Sequence, residues 1–242
     1  MAHFSNGLAL RPVMNRFLET VNNMNLTLAN DALLMAARIG WPETIARLLD
    51  LGASMDARDH YGRNPLMLAA LEGETAAVEM LMSRGADVNA RDYGGETPLM
   101  LSREHPTIIR GLILAGADVH MTDYNGATAL MGAPAYSSQL LLNRGANANV
   151  EDRWGGTPLS FAIDRGQEDV AELLLSRGAD PNRSNQFGET PFMRAVRNSR
   201  WQEAKLCWEF GGQIDTLGVG RIPRLPGLRM YLRSLTLRRR RI

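Results

Sequence analysis

Residues 59–91 read DHYGRNPLMLAALEGETAAVEMLMSRGADVNAR, and residues 92–122 follow with DYGGETPLMLSREHPTIIRGLILAGADVHMT. Residues 152–184, DRWGGTPLSFAIDRGQEDVAELLLSRGADPNRS, repeat the same plan. One glycine landmark recurs at Gly52, Gly85, Gly116, Gly145, Gly178 and Gly211, at spacings of 33, 31, 29, 33 and 33. A second keeps phase with it at Gly62, Gly95, Gly126, Gly155 and Gly188. Just after the second come RNPLM, ETPLM, ATALM, GTPLS and ETPFM. Two markers in step over five units establish an internal repeat, and periods of this length mark stacked architectures.

The residue types say what one unit is. Thr97, Thr157 and Thr190 can cap the free amides of a helix start, and Pro98, Pro158 and Pro191 suit its first position. A short helix such as PLMLAALE then ends at Gly73. A second, with Val78, Leu81 and Met82 at helical spacing, stops at Gly85. The segment ADVNARDYGGE that follows carries Asp-x-x-Gly turn chemistry and predicts a hairpin-like excursion. No unit is large enough to bury its apolar face alone, so neighbours must stack.

The pattern resembles the ankyrin repeat: Asp-x-x-Gly-x-Thr-Pro-Leu, a helix pair, then Gly-Ala-Asp-x-Asn. It is nearly complete at 59–89 and 152–182. Six units are expected, at 31–58, 59–91, 92–122, 123–151, 152–184 and 185–217. The resemblance implies an all-α repeat solenoid, a curved ankyrin-repeat stack of helix pairs with β-hairpin-like loops projecting from one edge. Where the family has His after Thr-Pro-Leu, this chain has Met67, Met100, Met131, Ser160 and Met193, so thioether packing is expected to replace that polar network. Two units are short, by two residues in LSREHPTIIRG and by four in MGAPAYSSQLL. Pro106 and Pro134 there predict a shortened or distorted helix.

Exposed end faces need caps. Met14, Phe17, Leu18 and Val21 predict an N-terminal amphipathic helix, and Leu228, Tyr231, Leu232 and Leu235 a C-terminal one. The expected organisation is therefore 1–30 as N-terminal capping helix and linker, 31–217 as the repeats, and 218–242 as a basic C-terminal capping helix.

Composition narrows the function classes. The 242 residues are 45% hydrophobic and 22% charged with a net charge of +1, the profile of a soluble globular protein. The sequence has no apolar run long enough to span a bilayer and no secretory leader, so a cytoplasmic location is expected. The single cysteine, Cys207, gives no disulfide framework. Its position repeats Leu48, Leu81, Leu112, Leu141 and Leu174, a core row, and Trp208 falls in the neighbouring row with Met82 and Ile113. Lys205 is the sole lysine, an arginine bias that points to a GC-rich genome and hence a bacterium. Eight arginines and no acid lie between Val219 and Ile242; 27 bases less these eight leaves 19 against 26 acids, a net of −7 for the rest. That balance disfavours broad nucleic-acid binding, which needs a positive face.

No catalytic constellation is present. His3, His60, His105 and His120 lack metal-ligand spacing, and there is neither a phosphate loop nor a nucleophile elbow. No enzyme activity, cofactor or metal is expected.

The repeat turns point elsewhere. After Asp59, Asp92, Asp123, Asp152 and Asn185 come His60-Tyr61, Tyr93-Gly94, Tyr124-Asn125, Arg153-Trp154 and Gln186-Phe187, one aromatic ring in every tip except the first, where His60 accompanies Tyr61. Aromatic residues are only 6% of the chain, so this placement is not random. In ankyrin-like proteins these tips face the concave side and are the usual contact positions, and large rings beside Arg or Asn are favoured at binding hot spots. The candidate partner-binding residues are Tyr61, Arg63, Tyr93, Glu96, Tyr124, Asn125, Arg153, Trp154 and Phe187; packing of each ring on its neighbouring hairpin is the competing role. Flanking charges include Glu72, Glu104, Asp164, Arg165, Glu189 and Arg197. The expected function is a non-enzymatic module binding a protein partner, monomeric when free: a bacterial inhibitor or immunity protein, an adaptor, or a secreted effector that recruits host proteins. The rival is a membrane- or nucleic-acid-associated protein acting through Arg238, Arg239, Arg240 and Arg241.

Overall fold

A computed structural model describes residues 26–213. Both expected capping helices and the run Arg238, Arg239, Arg240 and Arg241 lie outside the described residues. The chain forms two compact units, one ending at Tyr124 and the other beginning at Asn125. The described residues contain eleven helices and no strand.

The first unit holds α1 (Leu26–Ile39), α2 (Pro42–Asp50), α3 (Pro65–Glu72), α4 (Thr75–Ser83), α5 (Pro98–Leu101) and α6 (Pro106–Leu114). The second holds α7 (Ala135–Asn143), α8 (Pro158–Arg165), α9 (Glu168–Ser176), α10 (Pro191–Arg197) and α11 (Trp201–Glu209). Within the first unit, α1 packs on α2 and α3, α3 on α5, and α2 on α4, which in turn meets α6. In the second, α8 packs on α10, and α9 lies between α7 and α11. Like helices thus stack on like, as helix pairs that cannot bury their own faces must.

Local chemistry starts the first helices of the repeats as expected. Thr97, Thr157 and Thr190 accept the amides of Met100, Ser160 and Met193 at 3.4, 3.3 and 3.2 Å, with proline at the first position of each helix. Asn64 does the same for α3, accepting from the Met67 amide at 2.9 Å. Gly73 closes α3 in the left-handed conformation. Met67, Met100 and Met131 are buried, in line with thioether packing. Ser160 departs from it: its Oγ accepts from the Thr157 amide at 2.9 Å and donates to the Thr157 carbonyl at 2.8 Å, so a polar network survives there.

The row of Leu48, Leu81 and Leu112 in the first unit, and of Leu141, Leu174 and Cys207 in the second, is fully buried. Trp208 is half-buried instead, its ring 6.2 Å from that of Phe192.

The shortened repeats are altered as their deletions predict. Helix α5 has only four residues and stops at buried Ser102, whose Oγ donates to the Leu99 carbonyl at 3.1 Å. In the next repeat, residues 129–132 form turns with no first helix at all. The two prolines act one step later than expected. Pro106 opens α6 and Pro134 is the N-cap of α7, so they begin the second helices while the missing residues shorten the first.

Candidate functional site: the repeat tips

Four of the five tips are each built on one carboxylate or amide oxygen. Asp59 Oδ1 accepts the amides of Tyr61 and Arg63 at 2.8 and 2.9 Å, and Asp92 Oδ1 those of Gly94 and Glu96, both at 2.8 Å. Asp152 repeats this with Trp154 and Gly156, at 2.9 and 2.7 Å, and Asn185 with Phe187 and Glu189, at 2.9 and 3.0 Å. The side chain fixes the turn by satisfying two amides that no helix or sheet would reach. Asn185 shows that the oxygen matters and the negative charge does not.

Successive tips are then tied together. The Tyr93 amide donates to the Tyr61 carbonyl at 3.0 Å, and the Tyr124 amide to the Gly94 carbonyl at 2.9 Å. In the second unit Arg153 donates to the Asn125 carbonyl at 2.7 Å and Gln186 to the Trp154 carbonyl at 3.0 Å. The last asparagine of the Asp-x-Asn signature, which reads Asn147-x-Asn149 in the fourth repeat, adds a second tie. Asn149 Nδ2 donates to the Gly178 carbonyl at 2.8 Å while its Oδ1 accepts the Asp180 amide at 2.8 Å, and Asn89 and Asn182 make the same pair of bonds one repeat onward.

The rings do not share one register. Tyr61, Trp154 and Phe187 occupy the third tip position, Tyr93 and Tyr124 the second. Their supports differ accordingly. Two of the three third-position rings carry a guanidinium from their own tip: Arg63 lies 4.7 Å from the Tyr61 centroid and Arg153 5.2 Å from that of Trp154. Second-position rings lean on the preceding tip. A methyl group at Gly62 would come within 2.4 Å of the Tyr93 ring, and one at Gly95 within 2.9 Å of the Tyr124 ring. Arg91 also lies 5.2 Å from the Tyr124 centroid. Tyr61, Tyr93, Tyr124, Trp154 and Phe187 remain 54, 68, 67, 47 and 76% exposed. For Tyr93 and Tyr124, packing on the preceding tip and presentation to solvent therefore coexist.

The charged candidates are mostly engaged within the chain. Arg63 Nε lies 3.7 Å from Asp92 Oδ2, and Glu96 faces Arg103 at 3.6 Å. Arg153 Nη1 donates to Asn125 Oδ1 at 2.8 Å. Glu189 takes both Arg194, at 3.2 Å, and Arg197, at 2.7 Å, and Asp164 binds Arg194 at 2.7 Å. Glu72 pairs with Arg38 at 3.0 Å, and Arg165 Nη1 donates to the Gly132 carbonyl at 2.6 Å, where the lost helix would have ended. Glu104 is exposed. The mixed charges around the tips thus hold the repeats in register before any partner arrives.

Burial, reinforced by the Asp92 carboxylate, raises Glu96 against the opposing pull of Arg103 and Arg63. The folded chain therefore holds this proton more tightly than the unfolded one. The resulting stability is fully present below about pH 4.5, the ordinary value, and is lost as pH rises through the higher folded value. Glu96→Gln should therefore raise the melting temperature at neutral pH and converge with the wild type in acid. A lower melting temperature at neutral pH would show that the Arg103 contact outweighs desolvation.

Burial, then Glu203, pushes the Cys207 thiol up to about 12. It should react with thiol reagents at least about a hundredfold more slowly in the native protein than in denaturant. Comparable rates would remove Cys207 from the core.

Among the described residues no group of three or more His, Cys, Asp or Glu comes together as a metal site, and no helix is long and apolar enough to cross a membrane.

No curated protein matches the chain. A family model described as "Ankyrin repeats (3 copies)" matches residues 4–92, 99–185 and 138–207. The crystal structure of an ankyrin repeat domain from Acinetobacter baumannii AYE is similar at 31% identity and a TM-score of 0.67, covering 75% of this chain and 98% of that one. The repeated glycines, the capped helix pairs and these matches agree: the chain belongs to the ankyrin-repeat family, whose repeats form protein–protein interaction modules.

Proposed function

We propose that this chain is a non-enzymatic binding module that grips a protein partner through its tips and the adjoining first-helix side. The contacts are Tyr61, Arg63, Tyr93, Glu96 and Tyr124 in the first unit, and Asn125, Arg153, Trp154 and Phe187 in the second. One observation carries the reading: an aromatic-poor chain places an aromatic ring on each of five tips and leaves all five about half exposed or more. Rings already backed by a guanidinium or a glycine lose little freedom on binding, so their buried area is retained as affinity. Binding then works by occupying the partner's surface with little rearrangement. This suits a cytoplasmic inhibitor or immunity protein, or an adaptor, that is monomeric until it meets its target.

The test is affinity capture from lysate of the source organism with the wild type and with Tyr93, Tyr124 and Trp154 all changed to Ala. The wild type should retain at least one protein that the variant loses. Retention of every partner by the variant overturns the proposal.

A further inference from the structure

The three tips of the first unit carry consecutive tyrosines, chained by the Tyr93-to-Tyr61 and Tyr124-to-Gly94 backbone bonds. Their charged neighbours are already engaged. Asp59 and Asp92 accept two amides each, and Asp92 also faces Arg63. Arg58 Nη1 donates to the Gly62 carbonyl and, at 2.7 Å, to the Arg91 carbonyl, while Arg91 donates to the Thr122 carbonyl. Glu96 faces Arg103, and Asp123 is not free either. An acidic or basic segment laid along this row would have to compete with these internal pairs for its countercharge, which leaves little net gain. What the row offers is three exposed rings, Tyr61 flanked by Arg63 and, at 3.9 Å between centroids, by His60, with phenol hydroxyls that donate hydrogen bonds.

That chemistry fits an extended, uncharged chain with flat apolar rings of its own and free backbone carbonyls. Proline-rich segments have both. In the polyproline II conformation they make no internal hydrogen bonds, carry little entropy to lose, and dock on aromatic-lined surfaces. We infer that the tyrosine row of the first unit, Tyr61, Tyr93 and Tyr124, recognises a proline-rich segment of the partner protein. The inference rests on the binding role proposed for the tips and narrows it to one class of ligand.

Fluorescence anisotropy with a labelled all-proline peptide tests it, beside glycine–serine and glutamate-rich peptides of equal length. The full chain should bind the proline probe, with little salt dependence, and neither control. Tyr93→Ala with Tyr124→Ala should weaken it by at least about tenfold. Leu114→Ser, at an exposed apolar residue on α6 away from the tips, should leave it unchanged. Circular dichroism of each variant separates lost contact from lost fold. Absence of proline binding, equal binding of a control peptide, or indifference to the tyrosine changes overturns the inference. If lysate capture still depends on the tips when the proline probe fails, only the ligand class is wrong. If both fail, the binding role falls with it.

Discussion

Leu174→Ala in α9 should cost about 2–5 kcal/mol of folding stability, among the larger losses expected from a single side chain here. Leu174 is fully buried in the row that runs through Leu141 and Cys207 in the second unit. Helix α9 lies between α7 and α11, so a cavity at this point removes contacts on both sides. In a stack held by nearest-neighbour interfaces, loss at an inner helix weakens the pairs it joins. Chemical denaturation followed by circular dichroism measures the cost. Leu114→Ala, a truncation of the same size at a residue 66% exposed, should stay within about 0.5 kcal/mol of wild type. Equal effects at the two sites would mean that the leucine row is not the core.

Gly155→Ala should destabilise by about 2–4 kcal/mol, for reasons unrelated to hydrophobic burial. Its φ of +76° is strained for any residue with a side chain. Here the added methyl would also stand 2.8 Å from Asn185 Cα and 3.1 Å from the Gln186 nitrogen. Backbone cannot rotate away as a flexible side chain can, so the next tip must shift and the Gln186-to-Trp154 hydrogen bond must lengthen. Gly178→Ala separates the two causes. Its φ is +85°, but nothing lies within 4 Å of the new methyl, so only the conformational cost of about 1–2 kcal/mol applies. Matching losses in the two variants would show that the close approach between tips carries no energetic weight.

These two glycines illustrate what the sequence makes legible. Both belong to periodic landmarks, and the period alone identifies the stacked helix pairs, the capping threonines and the core row of leucines. Cys207 is placed in that row by phase alone, and it is buried there. But the period cannot tell a glycine needed only for its φ from one pressed against the next backbone, because that contact joins residues about one repeat apart.

The tips were legible as aromatic positions and not as geometry. Counting from Asp59, Asp92 and Asp152 reveals a ring in each turn, and the one-residue offset between Tyr61 and Tyr93 is visible in the sequence. Its consequence is not: one ring stacks under its own arginine while the other covers the preceding glycine. Charge was harder still. Glu189, Arg197 and Asp164 look like a mixed groove along the chain, and only the fold shows that Arg197 binds Glu189 and that Arg194 binds both acids. The deletion before Pro134 signalled a damaged helix, but its complete replacement by turns depends on how few residues remain to span the gap, four fewer than in a full repeat. Asn64 acts as a cap in the place where other repeats use threonine, a substitution that the preference for Asn at helix starts makes readable.

The central claim is that exposed, pre-supported rings on the tips supply the binding energy for a protein partner. Titration calorimetry of the captured partner, against wild type and the Tyr93, Tyr124 and Trp154 triple alanine variant, tests this most directly. The triple variant, still folded by circular dichroism, should bind at least about a hundredfold more weakly. An affinity equal to that of the wild type would contradict the claim and move the binding surface off the tips.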